Sequence, residues 1–228
     1  MSPPFITGNS YFQGPCWHDA YAGGSLYEEP YRVHSRSTMK IYLTDQRPQL
    51  AAHLENLMRR PVMTYDRARL KARTTTIKLH TASPFEGLYL RSLFAYRIFP
   101  VHIMTFLTQW DLEGRAMMVG DTIAQQVYLP PLQRFCQKII FGVRISEVID
   151  EADRKGFSYE TLEGHVERGV STFTLERWED SVIFKIQTFS TPGNLLTRLV
   201  GPIFSVPYQA YCTKAALEHV KRQVEAGG

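Results

Sequence analysis

Residues 156–190 constrain this chain's fold more than any other stretch, because they read as three consecutive strands. Phe157, Tyr159 and Thr161 alternate with Ser158 and Glu160. Beyond a turn, Ser171, Phe173, Leu175 and Arg177 share one face while Thr172, Thr174, Glu176 and Trp178 share the other. Glu179 and Asp180 mark a tight reversal, after which Val182, Phe184, Ile186 and Thr188 alternate with Ile183, Lys185, Gln187 and Phe189. A two-residue period puts successive side chains on opposite faces of a sheet, and short connections force antiparallel pairing.

The rest of the chain supplies elements that can pack on such a sheet. A helix is expected from Arg47-Pro48, with Leu50, Leu54, Leu57 and Met58 at helical spacing and Pro61 as its end. Thr74 to Thr81 reads as a strand, and Pro84 suits a helix start. Residues 85–110 are rich in Leu, Phe, Ile and Met, and Pro100 divides them into two expected short helices. Strands are expected over 121–129, closed by Pro130-Pro131, and over 137–149, with Ile139, Phe141, Val143 and Ile145 on one face. After Pro192-Gly193 the pattern turns helical: Tyr208, Cys212, Ala216, Val220 and Val224 form one stripe, with Pro207 in the first turn.

Strand, two short helices, an antiparallel run and one long amphipathic helix is the order of a helix-grip fold. The class expected is α+β: a curved antiparallel sheet wrapped on a long C-terminal helix, with space between them for a small molecule. Residues 1–38 read as an N-terminal extension, 39–71 as a helical lead-in and 72–228 as the domain itself. The extension carries Tyr11, Phe12, Trp17, Tyr21, Tyr27 and Tyr31 without a sustained period, which offers a route to a homodimer.

A chain of 228 residues, 44% hydrophobic and 21% charged, is long enough to bury one sizeable core. Its net charge of +4 comes from basic residues interleaved with acids, unlike a nucleic-acid footprint. Cys16, Cys136 and Cys212 are far apart and odd in number, so neither a disulfide framework nor a zinc site is expected, and a reducing, cytoplasmic setting fits. Apolar runs such as 195–206 are interrupted by Arg198, Gly201 and Pro202, so no spanning helix is expected. No H-E-x-x-H, G-x-S-x-G, G-x-G-x-x-G or P-loop pattern occurs, and no cofactor or metal is expected.

The segment GFSYETLEGHVERG, residues 156–169, resembles the DUF1990 family of the START-like, or Bet v 1-like, superfamily. The likeness lies in its glycine-aromatic start, Thr161-Leu162, Gly164-His165 and the acidic residue and glycine ahead of the next strand. Phe189-Ser190-Thr191-Pro192 and Gly201-Pro202 extend it, so that it spans roughly residues 136–222. The family's early glycine pair is not evident near Pro84-Phe85-Glu86-Gly87, and the extension before Met39 has no counterpart. The resemblance implies a hydrophobic cavity that binds lipids, sterols, polyketides or hormones, and sometimes acts on them; fold-level likeness does not name the ligand.

His165 stands out among titratable residues, with Glu163, Glu167 and Arg168 beside it in sequence. An imidazole near carboxylates can anchor a ligand or act as an acid/base, with Glu163 or Glu167 orienting it and Tyr159 polarising an oxygen. The structural alternative is that Gly164 supplies a positive-φ turn and His165 ties the loop by hydrogen bonds. The candidate ligand-binding set is Phe141, Tyr159, His165, Arg168, Phe173, Phe184 and Tyr208. Three functions are open: a binder of a small hydrophobic or amphipathic ligand such as a lipid; an enzyme of the same fold, a cyclase, dehydratase or hydrolase of an apolar substrate; and a filled-core interaction module.

Overall fold

The computed structural model describes residues 40–80, 88–129, 136–179, 181–192 and 195–226, all within one unit, Arg36–Gly228. The expected extension, its dimer contact, and the punctuation at Pro84, Pro130-Pro131 and Gly193 lie outside the described residues. In chain order, β1 (Ile41–Tyr42) and α1 (Leu50–Met58) precede β2 (Lys71–Leu79), α2 (Leu88–Phe94), β3 (Met104–Thr108) and α3 (Gln109–Glu113). There follow β4 (Thr122–Leu129), β5 (Gln137–Asp150), β6 (Arg154–Thr161), β7 (Glu167–Trp178), β8 (Ser181–Pro192) and α4 (Leu195–Ala226).

The strands form one antiparallel sheet in the order β2-β8-β7-β6-β5-β4-β3, with β1 added to β5 through Ile41 and Ile139. The last strand therefore crosses back to pair with β2, Ile77 facing Phe184. The meander expected over 156–190 is present, with Phe157 opposite Phe173 and Phe173 opposite Ile186. Between Ile145 and Glu147 the register of β5 against β6 shifts by a residue, which bends the sheet locally.

Both faces are covered. On the inner face Ile123, Val143, Phe157, Phe173, Leu175 and Phe184 pack with Ala216, Leu217 and Val224 of α4 and with Leu93 of α2. On the outer face Leu50, Leu54 and Leu57 of α1 pack against Ala124 and Leu162. Gly142 permits that approach, since a Cβ there would lie 2.7 Å from Leu57 Cδ2 and 2.9 Å from Leu162 Cδ1. Arg144 closes the helix end by donating to Met58 O at 2.9 Å. Buried Gln126 binds the same segment to the sheet: its Oε1 accepts from Gln46 N at 2.6 Å and its Nε2 donates to Asp45 Oδ1 at 3.0 Å. Helix α1 and the Asp45-Gln46 segment ahead of it are thus packed on the outer face of the sheet.

Two expectations need correction. The chain after Pro100 is not a second short helix: β3 pairs with β4, Met104 opposite Val127, and only the five residues of α3 follow. MTFLT is too short, and too apolar on both faces, for its period to show. Thr108 caps α3 by accepting from Asp111 N at 3.2 Å, and Gly114, φ 63, ends it. The C-terminal helix begins at Leu195, not near Pro207. It runs through Pro202 and Pro207, each of which removes one intrahelical hydrogen bond. Among the described residues no helix is long and apolar enough to cross a membrane.

Candidate functional site

The loop from Thr161 to Gly169 is closed by its own polar groups. The Thr161 hydroxyl accepts from Gly169 N at 3.1 Å, and Gly164 turns the chain with φ 91. His165 N donates to Leu162 O at 3.1 Å. Gly169 has φ 152, and a Cβ there would fall 1.9 Å from Phe189 O. Neighbouring backbone also anchors the loop from outside: Glu163 N donates to Pro61 O at 3.0 Å, and Arg60 Nη1 to Glu163 O at 3.1 Å.

His165 is held by the Glu167 backbone. Its Nδ1 lies 3.0 Å from Glu167 N and 3.1 Å from Glu167 O. The amide serves the tautomer with its proton on Nε2, and the carbonyl the one with its proton on Nδ1, so the ring keeps its anchor in either. Burial lowers the His165 pKa to about 4, against which the Glu167 backbone bond is a smaller, opposing effect. The imidazole is therefore neutral near pH 7.

Beside it, between the inner face and α4, lies a cavity of about 180 Å³. Phe99, Ile103, Met104, Val127, Phe141 and Cys212 give it apolar walls, and Tyr96, Gln125, Tyr159, His165, Glu167 and Tyr208 bring polar groups to it. Gln125 Nε2 donates to Tyr96 Oη at 2.6 Å. The pKa of Tyr96 is raised well above that of a free phenol, first by burial and then by the neighbouring Tyr159 hydroxyl. Burial likewise raises Tyr159 and Glu167, the latter opposed by a bond from Ser190 and the charge of Arg73. Tyr208 donates to Tyr128 O at 2.7 Å, fixing α4 to β4 across the cavity edge. Cys212, pushed up to about 11 by burial, is a thiol.

Four residues of the candidate set, Phe141, Tyr159, His165 and Tyr208, come together around this cavity. Phe173 and Phe184 do not line it. Each is at most 1% exposed, and Phe173 stacks on Phe157 with centroids 5.4 Å apart, so both fill the core. Arg168 sits opposite Thr191 in the β7–β8 ladder and is not among the lining residues. Glu163 is exposed and reaches its neighbours through its backbone, whereas Glu167 lines the cavity.

Sequence reasoning missed Tyr96 and Gln125. Tyr96 ends α2 with φ 58, where Arg97 N donates to Ser92 O and Tyr96 N to Leu93 O. That is a Schellman closure with tyrosine where glycine is usual, and nothing in the sequence marks it. Gln125 had a signal: it shares the inner face of β4 with Ile123 and Val127, and a polar residue there needs a partner.

Comparison with known proteins places these elements in context. The family model for a domain of unknown function, DUF1990, matches residues 91–219, more than half of the chain and all of the cavity lining named above. The UPF0548 protein of Deinococcus radiodurans is 33% identical over 86 residues, which cover 37% of this chain and 41% of that protein. The chain thus matches about two fifths of the length of that relative. A solved structure of an uncharacterised protein from Rhizobium leguminosarum aligns over 69% of this chain and 97% of its own, at 14% identity and a TM-score of 0.37.

Proposed function

This chain belongs to the DUF1990 family, and from that premise we propose that it binds a small, mainly apolar molecule carrying one neutral hydrogen-bonding group, held between the sheet and α4. The observation that carries the reading is the composition of the cavity: aromatic and aliphatic walls around a few convergent polar groups, the usual make-up of a small-molecule site. A helix-grip arrangement of the START-like kind is consistent with the strand order and with α4 packed on β2 and β8.

Size narrows the ligand. An apolar cavity of about 150 Å³ accommodates benzene, so about 180 Å³ suits one substituted ring. A sterol or acyl lipid would have to protrude through the mouth. Charge narrows it further, because no lysine or arginine is among the lining residues and His165 is neutral, so an anionic group would be buried unpaired and a neutral hydroxyl or carbonyl suits the site better. The same features weaken the acid/base alternative. A base with a pKa of about 4 is poorly matched to proton abstraction near pH 7, and His165 is held by backbone instead of a side-chain carboxylate.

Native mass spectrometry of freshly purified protein, beside the cavity-filling variant Val127→Phe, tests this reading. The expected result is a small neutral molecule released from the wild type and missing from the variant. Two proteins with no bound molecule, neither stabilised by a panel of monocyclic phenols, ketones and alcohols, would overturn it, since a ligand specific to the folded state must stabilise it.

A further inference from the structure

The outer face carries a second cavity, of about 190 Å³, between α1, β5 and the turn at Gly164. His53, Asn56 and Leu57 line it from one side of α1, Arg60 from just beyond the helix end, and Lys40 from the segment before β1. Unlike the inner cavity it is polar and cationic. Gln46 Nε2 donates to Thr44 Oγ1 at 3.0 Å, which makes Gln46 Oε1 the acceptor for His53 Nε2 at 3.2 Å. His53 Nδ1 is left for a second proton. Arg60 donates to a backbone carbonyl, Glu163 O, and Lys40 makes no hydrogen bond among the described residues. Among the described residues no carboxylate forms an ion pair with Lys40, His53 or Arg60: burial lowers the pKa of His53 first, and the charges acting on it, those of Lys40 and Arg60, are both positive.

We propose that this cleft binds a phosphate-type dianion, either free or as the terminal group of a monoester. Two cations, Lys40 and Arg60, match an oxyanion with two charges better than one with a single charge, and a bound dianion would favour protonation of the neighbouring His53. Asn56 adds an amide at the rim. The ligand would meet the opposite side of the loop whose next residue, His165, lines the apolar cavity, so the two sites are separate but share one turn.

The test is an NMR titration of the full chain at pH 7.5 with sodium phosphate, phenyl phosphate, sodium acetate and sodium chloride at matched ionic strength. The expected result is saturable shifts at His53, Asn56 and Gly164 with both phosphates, accompanied by a rise in the His53 pKa. Lys40→Gln should weaken phosphate binding about tenfold, the usual worth of a charge-assisted bond. Lys40 is exposed, so unchanged Phe141 signals will show that the variant keeps its fold. Tighter binding of phenyl phosphate than of inorganic phosphate assigns the site to a monoester, and equal binding assigns it to the free ion. Shifts of equal size with chloride, acetate binding as tight as phosphate, or unchanged affinity in folded Lys40→Gln would overturn the proposal.

Discussion

The ring of His165 leans on that of Phe141, centroids 4.6 Å apart and planes inclined by 42°, so the most suggestive titratable group of the chain sits against an aromatic wall. Its polar anchor is the backbone of Glu167. This arrangement favours a neutral ring over one that carries charge.

Acidification should therefore destabilise the protein. The folded pKa of His165 is lowered to about 4 from an ordinary 6.5, so between those values the unfolded chain binds a proton that the folded chain does not. The stabilisation is complete above about pH 6.5 and is lost as pH falls towards 4, by at most about 3 kcal/mol. His53 and His219 are also lowered, chiefly by burial, and act in the same direction. Urea titrations of wild type and His165→Gln from pH 7 to pH 4.5 isolate the effect. The gap between them should narrow steadily on acidification, and a constant gap would show that His165 does not titrate as described.

Tyr96→Phe removes the hydroxyl that accepts from Gln125, a residue only 4% exposed. Leaving that amide without this partner should cost about 1–3 kcal/mol, although the ring and its packing are kept. Chemical denaturation measures it, and a neutral substitution would show that Gln125 finds another acceptor.

Phe184 separates core from cavity. It is fully buried and borders a gap of about 10 Å³ with Leu93, Ile98 and Leu175, so Phe184→Ala should cost about 3–5 kcal/mol. The milder Phe184→Leu should leave ligand affinity unchanged in the folded protein. A loss of affinity would bring Phe184 back into the binding surface.

On the outer face Leu54 is fully buried between α1 and the sheet. Leu54→Ala should cost about 2–5 kcal/mol in a single cooperative transition. A separate early transition would mean that the lead-in folds independently.

The meander was legible because Phe157, Phe173 and Phe184 obey a strict two-residue period, and the stripe from Tyr208 to Val224 because it repeats every four residues. Helix α1 announced itself through Leu50, Leu54 and Leu57, yet its seat on the far side of the sheet was invisible, because that depends on Gly142, nearly a hundred residues later. β3 was hidden by its length, and the first half of α4 by Gly201, Pro202 and Pro207, which argue locally for a break. For the site, aromatics on one strand face could not tell wall from core: Phe141 borders space, whereas Phe173 meets other rings. Tyr96 enters through a left-handed helix end, a tertiary choice with no local signature.

The most direct measurement is a methyl and aromatic NMR titration of the full chain with phenol, in parallel with benzoate, on wild type and Val127→Phe. A ligand seated in the inner cavity should give saturable phenol-induced shifts at Phe141, Val127, Tyr159 and His165, at least tenfold weaker binding of benzoate, and no saturable response in the filled variant. Phenol shifts scattered over the surface, or equal binding by the folded Val127→Phe protein, would contradict it.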